Sequence, residues 1–221
     1  MVGYRVFHRR TRTHTLVMSA PLDSYQVLTG RGMFTLREKA SKFIGLAFPV
    51  TSVDAFKAVL SAERKAHHSA RHWCHAYVLG DQGEVHRSND DGEPSGTAGR
   101  PILRHIQGAG LTYTGVIVVR YFGGTLLGKG GLVQAYGTAA AGALTEAPKE
   151  VRALMDPVTI QCTHAAFDSI RADVLRSGGR IVKVEHLALC DAVVLLPRSK
   201  VMSLMLRWTG AGITCARQGA F

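Results

Sequence analysis

A chain of 221 residues with 46% hydrophobic side chains is long enough for two small domains, each with a core of its own. It shows no apolar run near the ~20 residues of a spanning helix, which argues against a membrane partner, and its four cysteines are scattered without a CxxC pair, which argues against a zinc ribbon or a thioredoxin-like motif. The net charge of +11 suits a nucleic-acid partner, but the excess is spread as +4 over residues 1–18, +3 over 19–147 and +4 over 148–221, with no dense basic stripe of the kind that anchors a duplex.

Residues 1–18 carry Arg5, Arg9, Arg10 and Arg12 and no acid. This basic arm reads either as a disordered phosphate-binding segment or as an extension upstream of a start at Met18. With no secretory signal, reduced thiols and a cytoplasmic location are expected. Gln26 to Ala47 reads as two strands, and Ile44, Leu46 and Phe48 alternate as in a half-buried strand. Ser52 is placed to cap a helix in which Val53, Phe56 and Leu60 share one face. His72 to Leu79 predicts a strand with Cys74, Ala76 and Val78 on one side, and Glu84 to Arg87 its hairpin partner. Ile102, Leu103 and Ile106 give the next short helix an apolar face that ends at Gly108. Gly115 to Phe122 is almost wholly apolar and predicts a strand covered on both faces. An alanine-rich helix follows from about Gly131 to Glu146, and Ala147 to Glu150 reads as a linker.

Beyond the linker the order becomes β-α-β-β-α-β. Val158, Ile160 and Cys162 alternate in a strand. Phe167, Ile170 and Val174 form one helical stripe that Gly178 and Gly179 terminate. Arg180–His186 and Cys190–Leu196 predict strands. Ser199 is expected to cap a helix buried through Val201, Met205 and Trp208, and Ile213 to Arg217 closes the sheet. This is the ferredoxin-like pattern. The fold class is therefore α+β in two domains, over 19–146 and 151–221.

Two glycine-rich segments carry the chemistry. Gly123 to Gly130 (GGTLLGKG) nearly spells a P-loop between a strand and a helix, but Gly130 stands where a Ser or Thr would hold magnesium. Backbone amides with Lys129 can still hold a phosphate, or the glycines simply permit tight packing. The segment from Asp90 to Pro101 is acidic: Asp90, Asp91 and Glu93 repel phosphate unless a divalent cation lies between them. It reads as a magnesium site, a general acid/base pair or a turn that satisfies itself. Ser95, between Pro94 and Gly96, does not fit a nucleophile elbow. His67, His68, His72 and His75 crowd around Cys74. The His68–His72 spacing suits helical metal ligands, but a helix-to-strand junction near Ala70 favours structural roles, and a strand cysteine is ordinarily inert. Weak metal candidates are thus Asp90, Asp91, Glu93 and His72.

The stretches ASKFIGLAFPV (Ala40–Val50), the His72-x-Cys74-x-Ala76-Tyr77 strand, SNDDGEPSGTAGRP (Ser88–Pro101) and VVRYFGGTLLGKGGLVQAYG (Val118–Gly137) closely resemble the YigZ/IMPACT family, in its bacterial two-domain branch. The resemblance covers about Ala40–Gly137. It implies an N-terminal domain like the second domain of a small-subunit ribosomal protein and a C-terminal domain like late domains of the translocating elongation factor. Both fold relatives suggest RNA or ribosome contact, by analogy of fold alone. The eukaryotic relative regulates translation by restraining a starvation-response kinase through its activator. Some bacterial members carry a proline-dipeptidase label, for which this sequence has no HExxH or recognisable metal cluster. The resemblance thus implies a cytoplasmic, non-enzymatic binding protein that contacts RNA, the ribosome or a translation factor. The alternative is a magnesium-dependent enzyme, or a binder of a small phosphate-bearing ligand, at the two glycine-rich segments. Its ligand-binding candidates in the first segment are Asp90, Asp91, Glu93, Ser95, Thr97 and Arg100. In the second they are Arg120, Gly123, Gly124, Gly128, Lys129 and Gly130.

Overall fold

The structure, a computed structural model, describes residues 24–218. The basic arm expected over residues 1–18 lies outside the described residues. The chain begins with β1 (Ser24–Leu28), β2 (Gly32–Glu38) and β3 (Ser41–Pro49). Three strands stand where the alternation predicts two. A tight turn at Lys39, with φ of +42°, folds β2 and β3 into a hairpin. β1 leaves that sheet altogether. It pairs antiparallel with β7 (Lys149–Ala153), which takes in the second half of the expected linker, Lys149 and Glu150. The exposed, charged side chains of β7 hide this role from any hydrophobic pattern.

The N-terminal sheet runs in the order β2-β3-β6-β4-β5, with β6 (Thr114–Tyr121) central between β3 and β4 (His72–Leu79), and β5 (Val85–Asn89) at one edge. One face packs on α2 (Gly99–Gly108) and α3 (Gly128–Glu146) through Phe43, Cys74, Ala76, Val116 and Val118. The other face packs on α1 (Val53–Ala66) through Ile44, Phe48, Tyr77, Ile117 and Val119 around Phe56. This double cover explains why β6 is apolar at nearly every position. The Ser52 side chain accepts from the Ala55 N–H at 3.1 Å and starts α1. The alanines of α3 have a steric reason: a Cβ at Gly45 of β3 would strike the Ala139 backbone, so helix and sheet sit too close for larger side chains.

The second unit contains β8 (Met155–Cys162), α4 (His164–Arg176), β9 (Arg180–His186), β10 (Cys190–Pro197), α5 (Arg198–Gly210) and β11 (Thr214–Arg217). Its sheet is antiparallel in the order β11-β8-β10-β9, the ferredoxin-like arrangement. A separate core built on Val158, Ile160, Ile170, Val194 and Trp208 supports it. Ser199 does not cap α5, because the helix starts at Arg198, after Pro197, and Ser199 lies inside its first turn. Its buried stripe is Val201, Leu204 and Trp208, with Met205 only partly covered. Arg198 and Arg217 both pair with the buried Asp156, which ties α5 and β11 to β8. No helix among the described residues is long and apolar enough to cross a membrane.

Candidate ligand-binding cleft

The acidic segment between β5 and α2 is held by its own backbone. The Asp90 carboxylate accepts from the N–H groups of Gly96, Ala98 and Gly99 at 2.8, 2.9 and 2.8 Å. It thereby caps α2, whose N-terminal residue Ala98 offers no side-chain cap. Burial works against ionisation of Asp90, yet these three donors and Arg100 outweigh it and hold the carboxyl below its ordinary range. Asp91, at φ +44°, pairs with Arg64 of α1 at 2.5 Å and accepts from the Trp73 N–H at 2.8 Å. The Thr97 hydroxyl turns inward to the Pro94 carbonyl at 2.7 Å, while Ser95 and Arg100 are exposed. These contacts favour the self-satisfied turn for Asp90, Asp91 and Thr97.

Glu93 differs. Its side chain is 4% exposed and pairs with Arg120 of β6 at 2.5 Å. The Tyr136 hydroxyl of α3 donates to the same carboxylate at 2.8 Å, and His72 Nε2 lies 3.8 Å from it. Arg120 is itself buried, stacks over Phe43 and Phe122, and leaves its Nε–H without a partner. A buried charge is tolerated when it is paired and hydrogen-bonded, so Glu93, Arg120 and Tyr136 form one unit. Burial pushes the Tyr136 phenol far above its ordinary range, and it stays a neutral donor. Burial likewise raises the Cys74 thiol well above its ordinary range, and its Sγ donates to the Asp90 carbonyl at 2.9 Å, which leaves no thiolate for nucleophilic chemistry.

In the second segment, Gly123 is required by close approach: its N–H donates to Ser41 Oγ at 3.2 Å, and a Cβ there would strike the Ala40 backbone. Gly124 and Gly128 adopt φ of +85° and +71°. Gly130 meets no such constraint, since a Cβ there has open space. The helix begins at Gly128, earlier than its alanine pattern suggests, so Lys129 belongs to the first turn of α3.

The two segments share a cleft of about 450 Å³. Its walls include Arg71, His72, Glu93, Arg120, Phe122 and Lys129, with Leu126, 82% exposed, at the rim. Glu93, Arg120, Gly128 and Lys129 meet there; Asp90, Asp91, Ser95, Thr97, Arg100, Gly123, Gly124 and Gly130 do not line it. Glu93 neutralises Arg120. Arg71 and Lys129 are exposed and have no carboxylate within ion-pair distance among the described residues. The cleft therefore carries excess positive charge, and the first-turn amides of α3 add to it. Arg71, Phe122, Leu126 and Tyr136 escape sequence reasoning because nothing in their local spacing marks them.

The weak metal candidates Asp90, Asp91, Glu93 and His72 are not gathered: no three of them come within coordinating distance of one another. His72 instead uses Nδ1 on the Asp91 carbonyl at 2.8 Å. His67 bonds Tyr121, and His75 bonds the Trp73 carbonyl and packs on Phe56. His68 falls beyond the end of α1, so its i, i+4 spacing to His72 has no helix to act on.

Fold and cleft together define a two-domain α+β protein with a basic, partly apolar groove in its N-terminal half. The profile of the Impact N-terminal domain matches residues 39–144, from β3 through nearly all of α3, and so spans every wall of the cleft. The chain is 38% identical over 165 residues to the IMPACT family member YigZ of Escherichia coli (strain K12), covering 74% of this chain and 81% of that one. It is 40% identical over 177 residues to an IMPACT family member of Thermus thermophilus, covering 80% and 90%. A crystal structure of a hypothetical protein superposes with a TM-score of 0.67 at 30% identity, over 91% of this chain and all of the other. The chain belongs to the IMPACT family.

Proposed function

We propose that the chain is a cytoplasmic, non-enzymatic binding protein that associates with RNA of the translation apparatus through the cleft of its N-terminal domain. The observation that carries this reading is the cleft itself. Arg71, whose guanidinium lies over the Phe122 ring, and Lys129, neither with a carboxylate partner among the described residues, flank a groove whose wall contains Phe122 and whose rim is Leu126. Cations for phosphate beside an aromatic ring and apolar surface suit a single strand, whose bases and backbone both need partners. The chain's overall +11 charge favours such a partner at long range. The C-terminal domain supports it less. The open face of its sheet presents Thr159, Gln161, Lys183, Glu185, Asp191 and Val193 and no aromatic ring, so it lacks the stacking platform by which many ferredoxin-like sheets hold RNA.

Filter binding or ribosome co-sedimentation across a salt series tests the proposal. Arg71→Ala and Lys129→Ala are each expected to weaken binding irrespective of RNA sequence and to lower the salt slope by about one. Binding that ignores salt, or that both variants retain in full, overturns it.

The size of the cleft favours a second reading, a small phosphate-bearing ligand such as a nucleotide, since about 450 Å³ is the scale of a small-molecule site. Thermal shift with nucleotides separates the two. Because Asp90 and Asp91 are engaged elsewhere, this reading expects a shift that EDTA leaves unchanged. The absence of any shift rejects it.

A further inference from the structure

A cluster that neither glycine segment touches lies at one corner of the C-terminal domain. His164 opens α4, His186 ends β9 and Cys190 opens β10. Cys190 Sγ is 3.2 Å from His164 Nδ1 and 3.3 Å from His186 Nδ1. All three donor atoms lie within 4.8 Å of one another. The imidazole rings are stacked, with centroids 5.7 Å apart, and Phe167 packs edge-on against His186.

We propose that His164, His186 and Cys190 form a mononuclear site for a zinc-class transition-metal ion, with two nitrogen donors, one sulfur donor and a fourth position open to water or a ligand. Three observations argue for it. The first is distance. Zn–S near 2.3 Å and Zn–N near 2.0–2.1 Å at tetrahedral angles place sulfur and nitrogen roughly 3.5 Å apart, so the observed separations need to open by only a few tenths of an ångström.

The second is the tautomer. His164 Nε2 lies 3.0 Å from the Leu187 carbonyl, an acceptor that requires an N–H there. In the neutral ring this leaves the Nδ1 lone pair directed at the sulfur, the arrangement by which a backbone carbonyl orients a metal-bound histidine. The third is proton count. A thiol has one proton and can donate to one imidazole only, and sulfur is a weak acceptor for the other. A cation at the centre of the three atoms satisfies all of them at once. The sulfur is buried while both imidazoles are exposed, which provides a route of entry for the ion. Binding converts the thiol to a thiolate and releases one proton to solvent.

Titration of the reduced full-length chain with Co²⁺ tests the site, because a cobalt–thiolate bond has a near-ultraviolet charge-transfer band that bonds to histidine alone lack. The expected result is a band that saturates at one equivalent and is removed by Zn²⁺. Cys190→Ser should abolish the band, and His164→Gln and His186→Gln should each weaken binding roughly tenfold or more. Because Cys190 is buried, Cys190→Ser also perturbs the core; the two exposed histidine positions make the test independent of it. Absence of a sulfur band overturns the proposal, as does a band that survives in the His164→Gln/His186→Gln double variant, which would assign it to another cysteine.

Discussion

At the scale of single residues, Glu93 and Asp90 sit three positions apart in one acidic run and do opposite things. Glu93 neutralises a buried arginine, whereas Asp90 ties down backbone amides. Glu93→Ala leaves Arg120 buried without a counter-charge, and breaking such a pair on one side costs about 3–5 kcal/mol. Urea denaturation should show a loss of that size, with a smaller loss for Glu93→Gln, which retains an acceptor for Tyr136. Equal stability of Glu93→Ala and wild type would mean that Arg120 is not held by this pair. Asp90 makes a pH prediction. Its folded-state pKa lies below its ordinary 3.8, so its contribution is fully present above that value and is lost as pH falls through the folded value. Acid denaturation curves of wild type and Asp90→Asn should therefore converge below pH ~4, the variant being less stable at neutral pH. Parallel curves across that range would remove Asp90 from the account. The acidic run is visible in the sequence, but not which carboxylate meets an amide and which a guanidinium, because Arg120 and Tyr136 come from distant strands and helices.

At the scale of elements, the glycines of the second segment separate into those the packing needs and those it does not. Gly123→Ala drives a Cβ into the Ala40 backbone, which cannot give way as a flexible side chain would, and should destabilise by about 1–3 kcal/mol. Gly130→Ala, in the first turn of α3 with open space around it, should stabilise by up to about 1 kcal/mol through helix propensity. Thermal denaturation of the two variants should move the melting temperature in opposite directions. If both fall, Gly130 has a constraint that the free helix does not show. Strand periodicity marks β4 and β6 closely, because both bury at least one face continuously. β7 is missed because its side chains face solvent and its register with β1 is a backbone matter. The start of α5 is missed by two residues because Pro197, not Ser199, occupies the cap position.

At the scale of the whole molecule, the cores are separate in sequence: one group of buried residues lies within 28–147 and another within 158–213. Each has a single tryptophan against it, Trp73 in the first and Trp208 in the second. Calorimetry and tryptophan fluorescence should therefore reveal two unfolding transitions rather than one. Zn²⁺ should raise the C-terminal transition alone and a phosphate-bearing ligand the N-terminal one alone, since a ligand stabilises only the unit that holds it. A single transition seen identically by both probes would show that the cores unfold together.

Apart from β7 and the separation of β1 from β2, the order of strands and helices, the α+β class and the ferredoxin-like second half follow from local patterning, because burial repeats at fixed periods along the chain and glycine-rich turns punctuate it. The cleft does not. Arg71, Glu93, Arg120, Phe122 and Lys129 converge only after β4, β6 and α3 are packed side by side. His164, His186 and Cys190 meet only when the antiparallel register of β9 and β10 brings their ends beside the start of α4. Charge pairing and coordination depend on distance through space, and periodicity in a sequence carries no measure of that.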